Sequence, residues 1–136
     1  MIQLTNSVAQ TIQPGQTVTF ENPPSLKTGC GECFNPQLPN SVRLNAPGGV
    51  YDIEFSGNAT TDPAATGQLA FSIGTTPLTD TAMNFTPATA GDLVNINTGT
   101  LFRNNCGDVS RISILNTGTV AVTLAPNFNF RVTRKS

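Results

Sequence analysis

Hydrophobic and polar residues alternate with a period of two along much of this chain. In residues 50–57, Tyr51, Ile53 and Phe55 share one parity and polar side chains share most of the other. Because successive side chains of a β-strand point to opposite faces, this alternation predicts strands with one buried face and one face in water. Helical periodicity is absent, and because strands with one face in water are typical of antiparallel sheets, we expect an antiparallel sheet. The same alternation recurs in 68–74, 120–125 and 127–134.

Further short segments also have strand-like composition. They are residues 7–12, 16–21, 41–45, 81–86, 92–102 and 109–116. Turn-forming sequences separate them, such as Pro14-Gly15, Pro47-Gly48-Gly49 and Asn116-Thr117-Gly118. About ten short strands separated in this way predict an all-β fold, an antiparallel β-sandwich of the jelly-roll type. The longest segment without a predicted strand, 21–40, is predicted to be a loop.

The length and charge of the chain restrict its organisation and its partners. A chain of 136 residues suits a single domain over 1–136. Charged residues make up 11% of the chain, the formal net charge is -1, and only Arg134 and Lys135 are adjacent basic residues. Nucleic acid and anionic membranes require clustered Lys and Arg side chains, so neither partner is expected. Residues 1–10 lack a signal-peptide pattern, which indicates synthesis in the cytoplasm.

The segment KTGCGECFNP contains Cys30 and Cys33, and the third cysteine is Cys106. A structural zinc site needs four ligands, and three cysteines without histidine could be completed only by a carboxylate, Glu32 or Asp108, which is an uncommon arrangement, so we expect no metal site. A redox-active CxxC pair lies at a helix N-terminus in a βαβ unit, which the flanking Gly and Pro residues do not favour. The segment is therefore interpreted as a surface loop. Its thiols are either free or joined in a disulfide, from Cys30 to Cys33 or from either of them to Cys106.

Residue sets for catalysis are missing from the sequence. Without histidine the chain has neither a Ser-His-Asp nor a Cys-His arrangement. Asp52 and Glu54 share the polar face of one predicted strand, where a carboxylate pair is usually just solvated. We therefore expect no enzymatic activity and no cofactor.

Several segments resemble the C1q/TNF-like jelly rolls. In APGGVYDIEFSGNATT, Gly49, Tyr51 and Phe55, followed by Gly57, are similar to the Gly-x-Tyr-x-Phe pattern of a central strand of that family. Residues 106–132 resemble its last three strands. The resemblance is strongest to the bacterial and bacteriophage members. These are the C-terminal domains of collagen-like spore-surface glycoproteins, and phage head-fibre or capsid decoration proteins. The phage proteins also resemble the opening, 6–22, whereas no Gly-x-y collagen repeat precedes the domain here.

This resemblance implies a homotrimer in which one sheet of each sandwich faces its neighbours. The residues then expected at the trimer interface are Tyr51, Phe55, Arg111, Leu115, Phe128 and Phe130. For any one of these aromatic residues, the alternative is that its ring fills the core of the sandwich. Residues 1–7 are expected to form an N-terminal segment that docks to other proteins of the particle.

The leading hypothesis is a non-enzymatic virion structural protein, a trimeric head-fibre or capsid decoration protein on a bacteriophage surface. Its expected partners are copies of itself and capsid or other virion proteins. The alternative is an adhesin, a tip module that binds a receptor or a host-surface glycan through the loops at 58–66 and 75–81. Aromatic sugar platforms would favour the alternative, but these two loops contain neither Trp nor Tyr.

Overall fold

The structure is a computed structural model that describes residues 1–21, 26–27, 34–37, 40–44, 48–74, 76–104 and 110–135. The strands within these ranges are β1 (Ile2–Leu4), β2 (Gln10–Ile12), β3 (Leu26–Lys27), β4 (Phe34–Gln37), β5 (Ser41–Leu44), β6 (Val50–Thr60), β7 (Gly67–Ile73), β8 (Thr76–Pro77), β9 (Met83–Phe85), β10 (Val94–Arg103), β11 (Ser110–Asn116), β12 (Val122–Leu124) and β13 (Asn129–Arg134). In these ranges the sole helical element is a 3-10 turn at Thr79–Thr81, and no helix is long and apolar enough to cross a membrane.

Two antiparallel sheets pack against each other. In the first sheet β6 is central: β10 pairs along one of its edges, while β13 and β12 pair with successive parts of its other edge. Strand β1 then pairs with β13, β3 with β1, and β2 with β12. The second sheet has the order β4-β5-β11-β7, and both β8 and β9 pair with β7. The chain passes repeatedly between the sheets, which gives a jelly-roll-like β-sandwich.

One continuous cluster of buried apolar side chains lies between the sheets. Alternate residues of β6 supply Tyr51, Ile53 and Phe55, each 0–2% exposed. The ring of Phe130 on β13 stacks on Phe20, with centroids 5.3 Å apart. Such an arrangement follows from the period-two pattern, because one parity of each strand faces the opposite sheet.

Asn116, at the end of β11, ties the two sheets together. Its buried side-chain amide donates to the carbonyl oxygens of Ile12 (2.8 Å) and Val120 (2.9 Å), and its Oδ1 accepts from the N–H of Gly118 (3.0 Å). These bonds satisfy backbone groups that would otherwise be buried without partners near the sandwich edge. The side chain of Asn116 therefore stabilises the turn that was predicted at Asn116-Thr117-Gly118.

The prediction of an all-β antiparallel sandwich is confirmed, and two local predictions need correction. The segment 21–40, predicted to be a loop, contains β3 and β4, and β4 pairs with β5 as an edge strand that accommodates Pro36. Residues 16–21, predicted to be a strand, instead form a crossing segment. After the Pro14-Gly15 turn, where Gly15 has φ 83°, Thr17 makes an isolated bridge to Leu115 of the second sheet.

Candidate functional sites on the two outer faces

The four aromatic residues expected at a trimer interface lie in the core of the sandwich. Tyr51, Phe55, Phe128 and Phe130 are at most 3% exposed within a single chain. They therefore have almost no surface to offer a neighbouring copy, and their placement at an interface is corrected here. The alternation correctly indicated that one face of these strands is buried. The opposite sheet of the same chain covers that face, whereas the prediction had placed a neighbouring chain there.

Arg111 and Leu115, the other two expected interface residues, share the outward-facing parity of β11. Arg111 is exposed and Leu115 is partly buried, whereas Ile112 and Ile114 between them face the core and are 0% exposed. These two residues belong to the second sheet, and the four aromatic residues belong to β6, β13 and the segment before β13. The six residues therefore do not form one surface.

Opposite charges are paired on the outer face of the first sheet. A nitrogen of the Arg131 guanidinium lies 2.6 Å from Glu54 Oε2, on directly opposed positions of β13 and β6. Lys135 Nζ lies 3.9 Å from Asp52 Oδ2. These contacts leave the face close to neutral. Beside Glu54, Gly99 of β10 lines a shallow depression of about 330 Å³, which a larger side chain at that position would narrow.

Strand β10 is an exposed edge with an apolar surface residue. Within the part of the chain that the structure describes, β10 pairs with β6 and with no other strand. Only Ile96 of β10 is buried, while Leu101 is 67% exposed and Leu93, just before the strand, is 60% exposed. A long strand edge that has few charged residues of its own is a favourable place for another chain to bind. Arg103 is the only charged residue of this strand.

Positive charge is concentrated on the outer face of the second sheet. Arg43 of β5 lies directly opposite Arg111 of β11. Among the described residues, neither arginine has a carboxylate as an ion-pair partner and the buried Nε of Arg43 has no hydrogen-bond acceptor. Sequence reasoning had missed Arg43. The alternation in residues 41–45 indicates that Arg43 lies on the polar side of its strand. That it lies opposite Arg111 depends on the pairing of β5 with β11.

Hydroxyl groups accompany the two arginines on this face. The Oγ atoms of Ser72 and Ser113 lie 2.8 Å apart, and both side chains are buried. A depression of about 380 Å³ adjoins them. It is lined by Thr17, Asn40, Ser41, Gly74, Arg111 and Ser113. The lining combines hydroxyl, amide and guanidinium donors, which is a suitable composition for binding negatively charged oxygen atoms.

The N-terminal residues are an integral part of the sandwich. Ile2 and Leu4 of β1 are 0% exposed and pair with β13, which differs from the expectation of a docking segment at 1–7. The hydroxyl and the backbone N–H of Ser7 both donate to the carboxylate of Glu21. These hydrogen bonds, the hydroxyl's first, hold the pKa of Glu21 below its usual value.

The other sites considered from the sequence are the three cysteines, a metal site and the two loops of an adhesin. Cys30, Cys33 and Cys106 lie outside the described residues. Within the described ranges, no group of three or more His, Cys, Asp or Glu side chains is arranged to hold a metal ion. Of the two loops expected in an adhesin, 58–66 begins with the last residues of β6, and 76–81 forms β8 and the 3-10 turn.

The chain was also compared with known proteins. No protein-family model matches it, and the curated protein sequences contain no significant match. The assignment as a jelly-roll-like β-sandwich therefore depends on the two packed sheets themselves.

Proposed function

We propose that this chain is a non-enzymatic structural protein that assembles as a homotrimer on the surface of a bacteriophage particle, as a head-fibre or capsid decoration protein. Its partners would be copies of itself and other virion proteins. Two features of the sequence support this proposal: the resemblance of the segments around Tyr51 and in 106–132 to phage jelly rolls, and the absence of histidine. In addition, the carboxylates of Asp52 and Glu54 face basic partners on an open surface rather than a substrate cleft.

The observation that best supports self-association is the exposed edge of β10. Leu101 is a large apolar side chain in the middle of a polar surface, and the β10 edge leaves backbone donors and acceptors available. The neighbouring outer face of the first sheet is nearly neutral because Glu54 pairs with Arg131. A second copy could therefore approach this face without strong charge repulsion. Symmetric self-association is also the commonest way in which soluble proteins form assemblies.

The mass of the protein in solution tests this proposal. Light scattering coupled to size-exclusion chromatography should give about three times the chain mass of 14.3 kDa. A monomer at all accessible concentrations would contradict the proposed assembly. Detection of this chain among the proteins of purified phage particles tests its location on the virion.

A charge introduced at Leu101 tests the proposed contact surface. We expect Leu101→Glu to shift the protein from trimer towards monomer, because a buried unpaired carboxylate is costly at an interface. Val8→Glu is a matched control, since Val8 is equally exposed at 67% but lies in the bend before β2, a strand that does not pair with β10. If Leu101→Glu remains trimeric, or if both variants dissociate equally, the β10 edge is not the contact surface. Circular dichroism confirms that each variant is folded.

A further inference from the structure

The two arginines on the outer face of the second sheet are in an unfavourable arrangement for a free protein. Arg43 and Arg111 occupy directly opposed positions of antiparallel strands. The Cβ atoms of such positions are about 4.5–5.5 Å apart, and like charges placed there destabilise a sheet. The arginines of the chain are few, and Arg131 on the other sheet does have a carboxylate partner at 2.6 Å. Within the described ranges, no carboxylate compensates the charge of the arginine pair.

The structure assigns to this face a binding site for a tetrahedral oxyanion, a phosphate or sulfate group. Two guanidinium groups offer planar sets of N–H donors that suit bidentate contacts to such oxygens. The buried Nε of Arg43 is one of these donors and has no partner among the described residues. An oxyanion between the two guanidinium groups would remove the repulsion between the like charges.

The hydroxyl groups beside the arginines explain the preference for a tetrahedral anion. Ser113 and Ser41 line the adjoining depression together with Arg111, and Ser72 holds the Ser113 hydroxyl at 2.8 Å. Gly74 adds no side chain to this depression, and a Cβ built there would contact nothing within 4 Å. A carboxylate has two oxygens, which a single guanidinium can occupy. A phosphate or sulfate group has further oxygens for the second arginine and for a serine hydroxyl.

The charge distribution indicates a single anionic group rather than a nucleic acid. Binding to DNA or RNA neutralises a series of phosphates and requires a row of basic residues. Here the arginine pair is the one concentration of unpaired positive charge that the described ranges show on the second sheet, and the chain has a net charge of -1. This site is separate from the β10 edge and the outer face of the first sheet, so it goes beyond the proposed assembly.

Thermal unfolding with added anions tests the site. The wild-type chain should show a saturable rise in Tm with inorganic phosphate or sulfate, measured at constant ionic strength with chloride as the balancing anion. A ligand that binds only the folded state stabilises it in proportion to its occupancy. An equal rise with chloride or acetate would overturn the proposal, because it would indicate charge screening or carboxylate binding. Isothermal titration calorimetry should confirm one phosphate per chain.

Substitutions separate this site from general electrostatic effects. Arg43→Gln and Arg111→Gln should each weaken phosphate binding about tenfold or more, because each removes charged hydrogen-bond donors from the anion. Arg131→Gln is the matched control: it also removes one positive charge from a strand surface, but it should leave phosphate affinity unchanged. Equal loss in all three variants would overturn the proposal. In phosphate-free buffer, Arg111→Gln should have an unchanged or higher Tm, whereas a purely structural arginine would lower it.

A carboxylate of the chain itself is the competing occupant. Asp108 precedes Arg111 by three positions in the sequence and lies outside the described residues. If phosphate binds only to Asp108→Asn and not to the wild-type chain, an internal carboxylate fills the site and the proposal is wrong. Equal phosphate affinity of the two proteins supports an external oxyanion.

Discussion

The two outer faces of the sandwich differ in which charges lie opposite each other on neighbouring strands. On the first sheet, Glu54 and Arg131 occupy opposed strand positions and form an ion pair of 2.6 Å. On the second sheet, the equivalent kind of position brings together Arg43 and Arg111. Cross-strand neighbours are the units of sheet stability, so the first arrangement stabilises its sheet and the second destabilises it.

This difference shows that one core can carry two outer faces with different arrangements of charge. The first face is balanced by its own residues and displays Leu101, which suits contact with a copy of the same chain. On the second face, no carboxylate of the described ranges pairs with Arg43 or Arg111, and the buried Ser72 and Ser113 hydroxyls lie on the same face, where we propose that an external anion binds. Residues that break a local stability rule without visible compensation are often the ones that bind something.

Both outer faces are built on one core, and Phe130 is the core residue whose loss should destabilise both of them. Its ring lies 5.3 Å from that of Phe20 and 5.9 Å from that of Phe71 on the second sheet. We expect Phe130→Ala to lower the free energy of unfolding by about 3–5 kcal/mol, because it leaves a cavity between the sheets. Urea denaturation measures this loss. Phe102→Ala, at a partly buried position on β10, should cost clearly less, and equal losses would contradict the assigned core.

The hydroxyl pair of the second face allows a smaller and more local test. Ser72→Ala should cost about 1 kcal/mol, because it leaves the buried Ser113 hydroxyl without its partner. The double variant, with Ser113→Ala as well, should be close to the wild type in stability, and so lose less than the sum of the two single variants, since both polar groups are then removed together. A double-mutant cycle from urea unfolding gives the coupling energy. Strictly additive losses would show that the two hydroxyls do not interact.

The smallest changes in stability should come from substitutions at the charged residues Glu54 and Arg111. Glu54→Gln should lower the free energy of unfolding by less than about 1 kcal/mol, because the pair with Arg131 is exposed and screened by salt. This loss should disappear at about 1 M salt, where the Debye length falls to about 3 Å. Arg111→Gln without phosphate should show no loss at any salt concentration. Thermal unfolding of the two variants at low and high salt measures this difference. If the stability losses of Glu54→Gln and Arg111→Gln depend on salt in the same way, the two faces do not differ in charge balance.

Most of the sandwich could be predicted from the sequence, because alternation is a direct consequence of strand geometry. The runs around Ile53, Phe71 and Val132 became β6, β7 and β13 with their apolar residues buried. Strand β1 was missed because three residues contain too little alternation to recognise. Strand β4 was missed because Pro36 argues against a strand unless the strand lies at an edge, and edges are defined only by pairing.

The candidate sites were less accessible to sequence reasoning. Alternation indicated that Tyr51 and Phe130 face an apolar environment, but a neighbouring chain and the opposite sheet would give the same pattern. Arg43 and Arg111 each occupy an ordinary polar position of a strand. Only the antiparallel register between β5 and β11 brings them face to face.

The sequence by itself determined which residues are strand-forming and which side of each strand is apolar, since both are local properties with a period of two. The tertiary structure decided what covers each apolar side and which polar side chains become neighbours. Those contacts join residues that are distant along the chain, such as Glu54 with Arg131 and Arg43 with Arg111. Strand order and register, which no local pattern encodes, therefore produced both the balanced face and the unbalanced one.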